Sequence, residues 1–219
     1  MLEHALIPAG YQRLVQSGVA LGLRAHSGWA CVVVVRRDPA SAEVAAIGRR
    51  RIVLADPGFA GSKQPYHAAE ALDIDRARAL VSRCIASSRR LAEDALDALV
   101  GELERAGDTV SRCGLLLAAG KPVGGELAVI LASHARIHAA EGELFRSVLL
   151  RAAERRGLEV RGVRERDVYA LGASELGLRE PALRARLDRM REALGPPWTQ
   201  DEKLAALAGW LALPPQRGR

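Results

Sequence analysis

Runs of consecutive apolar residues mark the strands of this chain. The strongest lies in the stretch GLRAHSGWACVVVVRR, whose four valines Val32–Val35 leave no polar face. Such a run is typical of a central strand that is covered on both sides. A second apolar stretch, EVAAIGRRRIVLAD, is predicted to pair with the first as an antiparallel hairpin. Gly48 indicates either a bulge in this second stretch or its division into two strands.

Apolar positions that recur every three to four residues predict two long helices. The first is expected from Ile74 to Ala106, where Gly107 ends it, and the second from Glu126 to Arg156. Short apolar runs predict one strand in RCGLLLAAG, between these helices, and another in LEVRGV, after them. The remaining chain is predicted to be helical, and its last helix opens with a capping-box pattern, Thr199-Gln-Asp-Glu.

The order of elements is therefore strand, strand, helix, strand, helix, strand, helix. This order predicts an α/β protein with a mixed central sheet, an N-terminal antiparallel hairpin and helices on both faces. We expect a single domain over residues 1–219, in which residues 1–18 form a lead-in segment and residues 19–213 form the α/β core.

Composition narrows the class of partner. The net charge of +6 permits an anionic partner such as nucleic acid, but aromatic residues make up only 4% of the chain, too few for a base-stacking platform. No apolar run approaches the roughly 20 residues of a membrane helix, and the N-terminus lacks a signal-peptide pattern. We therefore expect no membrane contact and a cytoplasmic location. Three widely spaced cysteines favour buried thiols over disulfides.

The tetrapeptide HAAE occurs twice, at residues 67–70 and at residues 138–141. Around the second copy, His134, His138 and Glu141 fall on one side of a helical wheel, the side predicted to face the core. Three polar groups on an apolar face need partners, because an unpaired buried polar group costs roughly 1–3 kcal/mol. The spacing His-x3-His-x2-Glu brings all three side chains within reach of one another or of one ion.

Three interpretations of this triplet remain open. Imidazole and carboxylate at this spacing suit a zinc or iron-type site. They also suit a general acid–base pair, in which Glu141 would orient His138 and make it a stronger base. The third interpretation is a structural hydrogen-bond network. We predict catalytic roles for His134, His138 and Glu141, while the sequence leaves both the metal and any cofactor unassigned.

Two further histidines are candidates for binding a ligand. His67 follows a Gly/Pro-rich loop at a helix start, where functional groups collect and where the helix N-terminus favours an anion. A helix start with an acidic residue in its first turn explains the same pattern without a function. His26 follows Arg24 by two residues, on the same face of the first strand. The hypothesis to test is whether His67, His26 and the histidines of the second long helix converge in space.

Two segments carry a resemblance to a known family. LGLRAHSGWACVVVV resembles the first strand of the ribonuclease H-like superfamily, in particular of bacterial Holliday-junction resolvases and their relatives. TQDEKLAALAGWLAL is similar to the final helix of such resolvases, which an acidic residue opens. The resemblance implies a ribonuclease H-like fold and a site in which acidic residues hold two divalent ions around a phosphate.

The acidic residues of that family are mostly absent here. Arg24 stands where the resemblance implies the first aspartate, and Ala118 or Ala119 stands where it implies a glutamate. Asp201, or its neighbour Glu202, matches an expected acid. One carboxylate cannot hold two magnesium ions, whereas arginine and histidine suit an anionic ligand.

The sequence thus leaves three hypotheses about function. The first is a ribonuclease H-like protein with a degenerate acidic site that binds a phosphate-bearing ligand or nucleic acid through Arg24, His26, His67 and Asp201. The second is a hydrolase-type enzyme that uses the His134, His138 and Glu141 triplet, with or without a metal. The third is a non-catalytic interaction protein in which the same groups form a core network.

Overall fold

The computed structural model describes residues 18–118, 120 and 124–214. The predicted lead-in segment, apart from Gly18, lies outside these residues, as does Ala119.

A five-stranded sheet in the order β3-β2-β1-β4-β5 forms the centre of the structure. The first three strands pair antiparallel, whereas β4 runs parallel to β1 and β5 runs parallel to β4. The expected mixed sheet is therefore confirmed. The strands are β1 Gly18–His26, β2 Trp29–Arg37, β3 Val44–Val53, β4 Thr109–Leu117 and β5 Glu159–Arg164.

The first apolar stretch of the sequence forms two strands, not the single strand that we predicted. The chain turns between β1 and β2 at Ser27 and Gly28, and Gly28 has a φ of 81°. Glycine adopts this left-handed conformation at little cost, so a two-residue turn can close here. The expected N-terminal antiparallel pairing is confirmed, and it extends over three strands. Ile47 is the extra residue of a bulge beside Gly48, and β3 continues through it as one strand.

Seven α-helices occur in the described residues, and two of them replace the single helix predicted over residues 126–156. Ser133 adopts an extended conformation, with a φ of −143°, which ends one helix and starts the next. The first long helix agrees with the prediction at both ends. The helices are α1 Pro65–Ala69, α2 Ile74–Arg105, α3 Leu127–Leu131, α4 His134–Arg155, α5 Val168–Glu175, α6 Glu180–Arg189 and α7 Gln200–Ala212.

The helices cover both faces of the sheet, as the sequence predicts. Leu21 and Leu23 of β1 face α2 and α4, whereas the alternate residue Ala20 faces α5, α6 and α7. Val32 to Val35 are at most 1% exposed, which confirms that β2 is covered on both sides. The three cysteines are buried with free thiols. Within the described residues, no helix combines the length and apolar character that a membrane crossing requires.

Backbone-to-backbone contact places α7 on the sheet. A Cβ atom added at Gly22 of β1 would lie 1.7 Å from the carbonyl oxygen of Ala205, and one added at Gly114 of β4 would lie 2.0 Å from that of Ala208. A Cβ atom added at Gly209 of α7 would lie 3.0 Å from the backbone nitrogen of Gly22. Only glycine permits this approach. As a result, the N-terminus of α7 lies at the carboxyl end of β1.

The substitution Gly22→Ala tests this contact. We expect it to lower the free energy of unfolding by about 3 kcal/mol or more, because the backbone of α7 must move away from β1. Gly101→Ala is the matched control, since a Cβ atom at this position of α2 meets no atom within 4 Å. That variant should be more stable by about 0.5–1 kcal/mol. Urea denaturation measures both values, and equal stability of the two variants would contradict the prediction.

Candidate functional site

Three histidines from two helices converge where α1 packs against α4. His67 comes from α1, and His134 and His138 come from the first two turns of α4. Each histidine offers one ring nitrogen such that all three nitrogens lie within 4.8 Å of one another. The Nε2 atoms of His134 and His138 are 3.0 Å apart. We call these residues the three-histidine cluster.

Glu141 connects α4 to α1 at this point. Its side chain is 4% exposed, and its Oε1 atom accepts hydrogen bonds from the backbone N–H groups of Tyr66, at 2.8 Å, and His67, at 3.1 Å. These are N–H groups of the first turn of α1, which Pro65 begins and which Gln64 does not cap with its side chain. A carboxylate of α4 therefore caps α1, and so fixes the backbone that carries His67.

The same carboxylate fixes the ring of His67. The Nδ1 atom of His67 lies 3.3 Å from Oε1 of Glu141, which leaves Nε2 of His67 available to an ion. Burial raises the pKa of Glu141, although the hydrogen bonds from His67 and Tyr66 oppose this shift. In the acid–base interpretation of the sequence Glu141 orients His138, whereas in the structure its carboxylate contacts His67 instead.

The two histidines of α4 are exposed, contrary to the helical-wheel prediction. Ile137 and Ala140 face Tyr66 of α1 and set the buried direction of the first turns. Ile137 lies roughly 60° around the helix from His134, so the wheel was centred on the wrong residues. The histidines consequently border the core, where solvent reaches them.

A second group of polar residues lies at the carboxyl end of β1. The guanidinium of Arg24 forms a two-atom contact with Glu165, at 2.8 Å and 3.2 Å, and another ion pair with Asp201. His26 joins this group, with its Nε2 atom 3.2 Å from Oδ2 of Asp201 and 3.1 Å from Arg24. We call Arg24, His26, Glu165 and Asp201 the strand-edge network.

His26 is held in a stack of three planar groups. Its ring lies on the indole of Trp29, with centroids 4.1 Å apart and planes within 5°. The guanidinium of Arg51 also lies over Trp29, 3.7 Å from the ring centroid. Burial, followed by the charge of Arg24, lowers the pKa of His26. The stack therefore favours the neutral imidazole.

Sequence reasoning did not identify Glu165 as a member of this network. Glu165 directly follows β5, and β5 runs parallel to β4, which runs parallel to β1. Residues after the carboxyl ends of parallel strands lie along one edge of a sheet, so the position of Glu165 was the available signal. Glu165 and Ala118 line the same shallow cavity, and Ala118 is one of the two alanines at which the family resemblance implies a glutamate.

Asp201 and Glu202 have different partners, although the sequence did not separate them. The carboxylate of Glu202 accepts hydrogen bonds from the backbone N–H, at 2.7 Å, and the hydroxyl, at 2.5 Å, of Thr199. The predicted capping box is therefore present. Asp201 is the residue that reaches Arg24.

The structure thus brings the predicted site residues into two groups. His67 lies with His134, His138 and Glu141, whereas His26 lies with Arg24 and Asp201 in the strand-edge network. Of the three histidines that the sequence hypothesis places in one cleft, His67 and His134 belong to the same group, whereas His26 belongs to the other.

Comparison with known proteins shows a likeness of fold. No protein-family model matches the chain, and no curated protein matches it. A structure of Thermus thermophilus RuvC is 12% identical with a TM-score of 0.45, and the match covers 87% of this chain and 90% of that chain. A second structure, T. thermophilus RuvC in complex with Holliday junction substrate, is 11% identical with a TM-score of 0.45, and covers 88% and 90%. Both structures are thus of the kind of protein that the two sequence segments resemble.

The lowered pKa of His26 predicts a dependence of stability on pH. The unfolded chain binds a proton at this residue near the ordinary value of about 6.5, whereas the folded chain binds it only at lower pH. The stabilising contribution is therefore complete above about pH 6.5 and is lost as the pH falls through the folded value. Urea denaturation between about pH 7.5 and pH 5 should show a smaller pH dependence in His26→Gln than in the unmodified chain. An unchanged slope would contradict the prediction.

Proposed function

We propose that this chain is a metal-dependent hydrolase whose transition metal ion is bound by the three-histidine cluster. The observation that carries the proposal is the convergence of His67, His134 and His138 from two helices. Imidazole nitrogens are the ligands that zinc and related divalent ions prefer in proteins.

The geometry of the cluster fits a tetrahedral ion. Zinc binds histidine nitrogen at about 2.0–2.1 Å, so two ligands of a tetrahedral site lie roughly 3.3 Å apart. The Nε2 atoms of His134 and His138, at 3.0 Å, are close to that separation. Small changes of side-chain torsion bring the nitrogen of His67, which starts within 4.8 Å, to the same distance.

The contact of Glu141 with His67, one of the three proposed ligands, also supports the proposal. Histidines that bind metals commonly donate their second ring N–H to a carboxylate, which fixes the tautomer and the orientation of the ring. The contact between Nδ1 of His67 and Glu141 has this form. In this proposal Glu141 positions a ligand, in place of the catalytic role that the sequence predicts for it.

A coordination position remains for water or substrate. Among the described residues, the cluster offers three potential ligands, and two of them, His134 and His138, are exposed. Catalytic zinc sites have three protein ligands and an open position, and the ion lowers the pKa of a bound water to about 7. The exposed histidines make the position accessible, and this arrangement supports hydrolysis over a purely structural ion.

Arg24 is less suited to the phosphate-binding role that the sequence suggested. Its guanidinium already contacts the carboxylates of Glu165 and Asp201, and an incoming phosphate would have to displace them. We propose that the strand-edge network is a degenerate acidic site. The guanidinium of Arg24 neutralises its remaining carboxylates, and His26 and Asp201 are the partners of Arg24.

Metal analysis tests the proposed ion site. The purified chain loaded with zinc should retain about one equivalent after gel filtration, and Co²⁺ should give the absorption spectrum of a tetrahedral site. His134→Ala and His138→Ala should each lower the affinity at least about tenfold, since each removes one of three ligands. His26→Ala is the control, because it lies in the strand-edge network and should bind zinc as tightly as the unmodified chain.

Activity measured on the same preparations separates the two parts of the proposal. Hydrolysis of an activated ester such as p-nitrophenyl acetate should require zinc and should be lost with the affinity in His134→Ala. Zinc binding without hydrolysis would contradict the enzymatic part and leave a structural ion. If no metal binds, and His138→Ala changes only the melting temperature, the non-catalytic interaction protein is favoured.

The variant Glu141→Gln tests the positioning role. We expect its zinc affinity to fall by about 10–100-fold, because an amide holds the His67 ring less strongly than a carboxylate. Glu143→Gln is the matched control from the same helix, where Glu143 lies 3.5 Å from Arg146. Its affinity should change less than twofold. Isothermal titration calorimetry gives both values, and equal affinities in the two variants would overturn the assignment.

A further inference from the structure

A cavity of about 380 Å³ lies between strands β2 and β3 and the start of α7. Its volume is within the range of small-molecule sites, about 300–1,000 Å³. The lining is rich in arginine on the β3 side and acidic on the α7 side. It consists of Trp29, Cys31, Arg49, Arg50, Arg51, Pro197, Thr199, Asp201 and Glu202.

Most polar groups of this cavity already have partners within the protein. Arg49 donates hydrogen bonds to the carbonyl oxygens of Gly195, at 2.8 Å, and Pro196, at 2.7 Å, and so fixes one wall. Asp201 is paired with Arg24, and Glu202 is bonded to Thr199. Both carboxylates line the cavity, but each is already engaged by a group of the protein itself.

The two remaining arginines differ in their partners. Arg50 forms an ion pair with Glu102 at 3.0 Å. Arg51 lies over the face of Trp29, and among the described residues no carboxylate or carbonyl accepts a hydrogen bond from it. The contact with Trp29 orients the plane of the Arg51 guanidinium, and the ring of His26 also stacks on Trp29. A guanidinium that is held by its face keeps its N–H edge free.

This edge suits a phosphate group. Guanidinium donors match phosphate oxygens in pairs, and hydrogen bonds between ionised groups are stronger than neutral ones. Arg50 occupies the neighbouring position of β3, and its guanidinium is engaged by Glu102 of α2, so Arg51 is the arginine that offers free donors here. Burial raises the pKa of Cys31 to about 12, so its thiol stays neutral and does not repel an anion.

We propose that this cavity binds a small molecule carrying a phosphate monoester, with the phosphate at the N–H edge of Arg51. The site is separate from the three-histidine cluster and does not depend on the proposed metal-dependent activity. The organic part of the ligand would lie in the cavity, toward Pro197 and Thr199.

Calorimetric titration tests the proposal on chain treated with EDTA and carrying His134→Ala, so that no ion at the three-histidine cluster binds phosphate. Adenosine monophosphate, inorganic phosphate and acetate are the three probes. We expect adenosine monophosphate to bind with 1:1 stoichiometry and more tightly than inorganic phosphate, because only the former fills the cavity. Acetate should bind most weakly, since it carries the smaller charge.

Variants at Arg51 then locate the site. Arg51→Gln should weaken binding of adenosine monophosphate at least about tenfold, as expected for the loss of a hydrogen bond between ionised groups. Arg51→Lys keeps the charge without the paired donors, so its affinity for adenosine monophosphate should lie between those of Arg51→Gln and the unmodified chain. Arg78→Gln is the control, since Arg78 is an exposed residue of α2 that lies outside the cavity lining.

Several results would overturn the proposal. They are the absence of binding at millimolar concentration, equal affinity for acetate and phosphate, and unchanged affinity in Arg51→Gln. Circular dichroism and the melting temperature establish that each variant is folded. If Arg51→Gln is unfolded, Arg51→Lys decides the outcome, because affinity equal to that of the unmodified chain would contradict paired recognition of phosphate.

Discussion

The close contact between α7 and the backbone of β1 and β4 determines the geometry of the strand edge. Gly22 and Gly114 let the helix approach until carbonyl oxygens of α7 occupy the positions where Cβ atoms would stand. This contact fixes how far α7 extends along β1, and therefore where Asp201 lies relative to Arg24. The capping box of Thr199 and Glu202 then defines the first turn of the helix. Packing of the backbone and placement of a functional carboxylate are consequences of the same contact.

The sequence predicts the layers of the fold better than their junctions. The valines Val32–Val35 predict a covered strand because an uninterrupted apolar run leaves no solvent face, and the structure confirms it. Ser27 and Gly28 show the opposite case, since a two-residue turn inside an apolar stretch leaves little signal in the pattern. The break at Ser133 is similarly hidden, because the residues on both sides favour helix. Junctions depend on the conformation of single residues, which periodicity does not report.

The candidate sites show a similar division. The spacing of His134 and His138 guarantees that they are neighbours, since residues four apart lie on one face of a helix. Nothing in the sequence connects His67 to Glu141, because that contact depends on how α1 packs against α4. The exposure of the histidines also depends on this packing, since Ile137 sets the buried direction. Local chemistry can be predicted from spacing, whereas contacts between distant segments require the tertiary structure.

The shortness of α1 has a consequence for the order in which the molecule assembles. A helix of five residues is not stable by itself, and the carboxylate that caps it is 74 residues later in the chain than His67. His67 is therefore held in place only after β4 and α4 have formed and packed. A growing chain that ends before α4 contains His67 without its partners, and it has no preformed pocket that could capture an ion early. The three-histidine cluster therefore depends on the packing of α4 against α1 and is independent of the elements that follow α4 in the chain.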